Sequence, residues 1–242
     1  MRKAGDLHYL PARTSGLLPD RERHPHAVLF DERPPSVPAV VFGTKSRKER
    51  DTGASHVVVA PRTAYPNPNG LRYTTHFYPG VIYRPAKSDL GRAAGSVALN
   101  LGAIRAEMRN ALGIRSGRAG DPGVPASSLR GAILQLHKDR CGALQTEWAV
   151  SLTEHAYSGR YRYHALVPVY ASLGGTDENG IVYSTGEPWV PQIFPHHDSA
   201  RLLAPLVHSV WCDYAVRRVT DVIVDASTMA RLEDAVCAFL EC

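Results

Sequence analysis

The chain runs twice through one order of short apolar segments, and no other feature of its 242 residues limits its fold as much. Between the two passes lies Ile114 to Ser128, IRSGRAGDPGVPASS, which is dominated by Gly, Pro and Ser and has no apolar periodicity. That composition reads as a linker. Gly5-Asp6-Leu7-His8-Tyr9-Leu10 opens the first pass, and Gly131-Ala132-Ile133-Leu134-Gln135-Leu136 opens the second. Ala27 to Glu32 is answered by Ala149 to Glu154, and Ala39 to Ser46 by Ala165 to Ser172. These are short buried-strand patterns. Each pass closes on an amphipathic helix. Leu101, Ile104, Met108, Ala111 and Leu112 share one face, as do Met229, Leu232, Val236, Phe239 and Leu240. Ser227 is the expected N-cap of the second helix. The two passes are offset by 126 residues at Gly5/Gly131 and Ser46/Ser172, and by 122 at Ala27/Ala149.

The expected fold is mainly β with α. Residues 1–113 and 129–242 each form a small, mostly antiparallel barrel with a C-terminal helix, joined by the linker 114–128. Gly174 to Ser199 reads as a long loop, an insertion at about 174–200 of the second unit. Two such units in one chain make a fused pseudo-dimer, which stands in for the two-fold symmetry of a homodimer.

Composition narrows the setting. Hydrophobic residues make up 44% and charged residues 21%, enough to build a packed core. No apolar run approaches the roughly 18 residues of a membrane span. The start, MRKAGDLHYL, has no apolar stretch of signal-peptide length. Cys141, Cys212, Cys237 and Cys242 form no C-x-x-C pair, so reduced thiols in a cytoplasm are expected. Charge is uneven. Residues 1–116 carry 18 Lys/Arg against 9 Asp/Glu, a net +9, and the remainder carries −4. The first half is therefore the candidate for a polyanion.

The order of segments resembles the MazF/PemK-like toxins of toxin–antitoxin systems. Gly5-Asp6 fits that family's opening strand, His24-Pro25-His26-Ala27-Val28-Leu29 its second, and Val40 to Ser46 its third. Cys212 to Arg218 looks like the later strand that carries an Asp. The resemblance covers nearly the whole chain, twice. It implies SH3-like barrels, metal-independent cleavage of single-stranded RNA, no cofactor, and an antitoxin protein as a candidate partner. A related branch binds gyrase without cleavage, so a degenerate member that binds RNA, gyrase or an antitoxin is the alternative. The chain also departs from the family. The loop Arg position holds His24 with Arg23 beside it in the first half, and Thr146 in the second. The strand Asp is matched by Asp213 alone, with Gly80 in the first half.

Metal-free RNA cleavage needs a base for the 2′-hydroxyl, an acid for the leaving oxygen, and groups that stabilise the phosphorane. The candidates are Arg23 as phosphate fork, His24 as general base, Thr44 and Ser46 as hydroxyls, and Asp213 with Arg217 as a competing base and clamp. Lys45, Arg47, Lys48 and Arg50 follow the third strand as a basic run that suits a phosphate backbone. Arg72, Tyr73 and Arg84 interleave cations with an aromatic, which suits stacking of unpaired bases. Core packing claims Phe77 and Tyr78 more cheaply. His196-His197-Asp198 lacks a third ligand at metal spacing, so no metal is expected. There is no G-x-S-x-G, Walker A, H-E-x-x-H or G-x-G-x-x-G.

Overall fold

The computed structural model describes residues 1–11, 23–32, 38–45, 56–64, 68–86, 88–112, 114, 130–136, 146–152, 163–211 and 215–241, with backbone alone at 163–164, 210–211 and 215–222. They form two compact units, Met1–Ala111 and Leu112–Glu241. Apart from Ile114, the expected linker lies outside the described residues.

The first unit is one antiparallel sheet and a helix. Its elements are β1 (Asp6–Pro11), β2 (Arg23–Val28), β3 (Val40–Thr44), β4 (Val57–Val59), β5 (Thr75–Tyr83), β6 (Gly95–Ser96) and α1 (Ala98–Ala111). The strand order is β4-β5-β3-β2-β1-β6. The second unit contains β7 (Ala132–Leu136), β8 (Trp148–Ser151), β9 (Tyr163–Ser172), β10 (Ile181–Thr185), the short α2 (Val190–Ile193), β11 (Ser199–Leu203), β12 (His208–Trp211), β13 (Ala215–Ile223) and α3 (Ala226–Leu240). Its order is β10-β11-β9-β8-β7-β13, with β12 also on β9. Replacing each strand by its counterpart turns one order into the other. The protein is mainly β with α, and no helix among the described residues is long and apolar enough to cross a membrane.

The match extends to single hydrogen bonds. Gly5 and Gly131 both adopt positive φ, +86° and +75°. Gly5 N–H donates to Val28 O and its carbonyl accepts from Val97 N–H. Gly131 makes the same pair with Ser151 O and Val224 N–H. A Cβ on Gly5 would lie 2.6 Å from the Ala98 Cα, so the helix can start beside the strand only over a glycine. Leu29 N–H reaches Ala39 O as Leu152 N–H reaches Ala165 O.

Three expectations change. The second strands are offset by 123 residues, not 122: His26 pairs with His8 as Ala149 pairs with Leu134. His24 therefore corresponds to Glu147, not Thr146. The difference matters because one residue of slip moves every side chain to the other face. Segment 174–200 is not a loop insertion. It holds β10, α2 and the start of β11, and β10 stands to β11 as β4 stands to β5. The N-cap of α3 is Asp225, not Ser227, because the Asp225 carboxylate accepts from both Ser227 N–H and Thr228 N–H. Burial draws the Asp225 pKa upward, but these bonds and Glu187 outweigh it and hold the carboxyl at about 2.

Buried faces of the helices close the sheets. Leu101, Ile104, Met108 and Ala111 are the buried residues of α1. In α3 they include Met229, Leu232, Val236 and Leu240, while Phe239 is half-buried. Arg105 of α1 donates to the Leu29 carbonyl, and Arg130 pairs with Glu233 of α3, whose carboxyl burial pushes up to about 7.

Candidate functional site

Side chains alternate along a strand, so the register of β1 on β2 decides which histidines meet. His8 lies opposite His26, and Leu10 opposite His24. His26 in turn lies opposite Phe42 of β3. His8, His24, His26 and Phe42 therefore share one face of the sheet. The rings touch: His24 to Phe42 at 5.1 Å, His26 to Phe42 at 5.5 Å, and His26 edge-on to Tyr83 at 4.9 Å. His26 Nδ1 donates to the His24 carbonyl at 2.8 Å. Its complete burial pushes its pKa down to about 3, so it is a neutral packing group.

Where this face meets the end of β1, a cleft of about 610 Å³ opens. Its sides are β1 from His8 to Pro11 and the start of β2, with Arg23 and His24. Lys45 enters from the end of β3, and Arg72, Tyr73 and Thr75 from the approach to β5. The rim carries Asp89 and Arg92. Among the described residues of the lining, four Arg and Lys side chains thus face one carboxylate. Tyr73 is 62% exposed, and Lys45 Nζ sits 5.5 Å from its ring centre.

The position of Arg72 and Tyr73 depends on Asn69. Its buried side chain accepts from Arg62 N–H at 3.0 Å and Leu71 N–H at 3.2 Å, and donates to Ala60 O at 2.8 Å. That knots the loop just before the two cleft residues. The loop then lies hard against the strand beside the rim. A Cβ on Gly70 would fall 2.4 Å from Ala94 O, and one on Gly95 2.5 Å from the Asn69 backbone.

Of the expected site residues, the cleft gathers Arg23, His24, Lys45, Arg72 and Tyr73. Thr44 is buried at the end of β3 and does not line it. Arg84, just past β5, is half-buried and also lies elsewhere; burial pushes its guanidinium down to about 10, which leaves it charged. Ser46, Arg47, Lys48, Arg50 and Asp213 fall outside the described residues, and Arg217 is described by its backbone in β13 alone. Phe77, Tyr78 and Tyr83 are core. His197 Nδ1 lies 3.1 Å from the Ser172 carbonyl, which fixes the ring in its turn. Among the described residues no group of three His, Cys, Asp or Glu is placed to hold a metal ion.

His8 and Arg92 are cleft residues that the sequence did not single out. His8 sits inside the run Leu7-His8-Tyr9-Leu10, which reads as a plain strand. The period-two pair His24/His26 on the facing strand was the available signal.

The second unit shows what the scaffold itself requires. Leu134, Glu147, Ala149 and Pro168 stand where His8, His24, His26 and Phe42 do in the first. Leu134 and Ala149 belong there to an aliphatic core cluster with Ala132, Leu136 and Leu166. The same pairing thus closes with aliphatic residues, and the histidine row belongs to the first unit alone. No family model matches this sequence, and no curated protein matches it either.

Proposed function

We propose that the chain is a tandem MazF-like protein, two SH3-like barrels fused as a pseudo-dimer, whose first unit binds single-stranded RNA and cleaves it without a metal ion. The observation that carries this reading is the convergence of Arg23, His24, Lys45, Arg72 and Tyr73 on one cleft. Arginine and lysine at its mouth suit a phosphate backbone, and the exposed Tyr73 ring suits a stacked base. Arg23 clamps the scissile phosphate and His24 moves a proton. A duplex would hide its bases from Tyr73, so the favoured substrate is unpaired. Binding without cleavage is the second reading. It is favoured by the cations of the cleft, which would hold RNA or an acidic antitoxin-like segment without any proton transfer.

The test is incubation with single-stranded RNA in excess chelator. The expected products carry 2′,3′-cyclic phosphate ends. Arg23→Ala should lower kcat/KM about 10²–10³-fold. RNA that binds the cleft but stays intact would select the second reading, and RNA that does not bind would end the RNA-cleaving reading and leave only the acidic segment to the second.

A further inference from the structure

His8 and His24 share one sheet face as diagonal neighbours across β1 and β2, and both line the cleft. Diagonal positions on a strand pair are about 7–8 Å apart, within reach of one another for long or ring side chains. Two imidazoles at that spacing can bracket one phosphodiester, one at the attacking oxygen and one at the leaving oxygen. His8 is only 3% exposed, and its Nε2 is shut off from solvent with no hydrogen-bond partner among the described residues, so Nδ1 is the ring nitrogen left to meet the cleft. An unpaired buried nitrogen costs stability, and His26 Nε2 carries the same cost, but of the two rings only His8 lines the cleft. The fold does not demand that cost, because Leu134 fills the equivalent place in the second unit at 4% exposure.

We infer that His8 is the second proton-transfer group of this cleft, taking the 2′-hydroxyl proton while His24 protonates the leaving 5′-oxygen. The inference rests on the RNA-cleaving reading of the same cleft. The bond from the 2′-oxygen to phosphorus forms as the bond from phosphorus to the 5′-oxygen breaks. One proton passes to His8 and one leaves His24, giving a 2′,3′-cyclic phosphate and a 5′-hydroxyl. Solvent then restores both rings, and no other reactant is needed. This reverses the role expected for His24 from the sequence. Burial is the main reason. It lowers the His8 pKa below the usual 6.5; Asp6 on the same strand pulls it back up, and Arg2 lowers it further. The other titratable groups around it are His26 opposite, His24 diagonal, and Asp89 and Arg92 on the rim. A ring held neutral at pH 7 is suited to accept a proton.

The experiment compares His8→Leu and His24→Asn on RNA and on the same RNA with sulfur in place of the scissile 5′-oxygen. A thiolate leaves without a proton, so only the acid becomes dispensable. His8→Leu should fold, since it installs the residue of the second unit, and should bind RNA with KM within about threefold of wild type. Its kcat should fall about 10²–10⁴-fold on both substrates. It should also lose the rise of rate with pH that is expected of wild type below 6.5. His24→Asn should be slow on RNA and restored on the sulfur substrate. If His8→Leu keeps its rate and its ascending pH limb while Arg23→Ala is inactive, the His8 assignment is wrong and the cleft reading stands. Wild type that binds RNA but cuts neither substrate overturns both the His8 assignment and the cleavage reading. If His8→Leu does not fold, the NMR titration of the His8 ring in wild type decides. A midpoint that coincides with the ascending limb supports the assignment, and one displaced from it by more than a unit overturns it.

Discussion

Among the described aromatics from Leu71 to Tyr83, Tyr73 is set apart by exposure. Phe77, Tyr78 and Tyr83 lie inside the sheet core, and Tyr73 lies two residues before β5, with its ring in solvent beside Lys45. In the sequence the four are indistinguishable as residue types, and strand alternation does not separate them, because β5 is buried along its whole length and Tyr73 lies before it. Packing explains the three buried rings and leaves Tyr73 unexplained, which is why it is assigned to base stacking. Removing an aromatic platform costs about 1–3 kcal/mol per stacked base. Tyr73→Ala should therefore weaken single-stranded RNA binding by that amount, measured by fluorescence anisotropy, whereas Tyr73→Phe should bind as wild type. Equal affinities for Tyr73→Ala and wild type would leave the ring without a role.

At the scale of elements, the loop around Asn69 is the part of the site most open to a structural test. Asn69→Ala would strand the N–H groups of Arg62 and Leu71 and the Ala60 carbonyl. The expected loss is about 1–3 kcal/mol of stability in denaturant unfolding. Gly70→Ala should cost at least as much, because φ is +74° there and the new methyl meets Ala94 O. Both changes should also weaken RNA binding, since the loop aims Arg72 and Tyr73; unchanged affinity would show that the loop and the cleft are independent. Nothing in the sequence announced this knot, because a buried Asn in a Pro- and Asn-rich stretch reads as a turn residue. The strands were more legible. β1, β3, β7 and β9 follow apolar runs that alternate or stay buried. β2 was misaligned by one residue because Ala27 and Ala149 look alike, whereas the pairing partners match His26 with Ala149. The β10–β11 hairpin was hidden by its Gly and Pro content. Its strands are held by pairing with β9 and by Asp177, which accepts from Tyr183 N–H and pairs with Arg231 of α3. Those contacts join residues far apart in sequence, which local composition does not report.

At the scale of the whole molecule, one scaffold carries two surfaces of different charge. The second unit keeps the strand order and the glycine turn, replaces His8 and His26 with Leu134 and Ala149 and His24 with Glu147, and belongs to the net −4 part of the chain. The basic cleft belongs to the +9 part. RNA affinity should therefore depend on salt through the first unit. Single strands release counterions with a slope of about −0.7 in log K against log salt for each phosphate neutralised. If Arg23, Lys45, Arg72 and Arg92 each meet one phosphate, the cleft contributes a slope of about −3. Replacing Lys45 and Arg72 together by Ala should make the slope shallower by about 1.4, with affinity falling on every RNA sequence alike. Arg201→Ala is the control. That exposed cation lies over the Tyr170 ring in the second unit, and its loss should leave the slope as it was. The measurement is a binding titration at four or five salt concentrations for the three proteins. A slope that changes equally in the control would mean that net charge acts without a site. A slope that changes in neither would mean that the cleft cations never meet the phosphates.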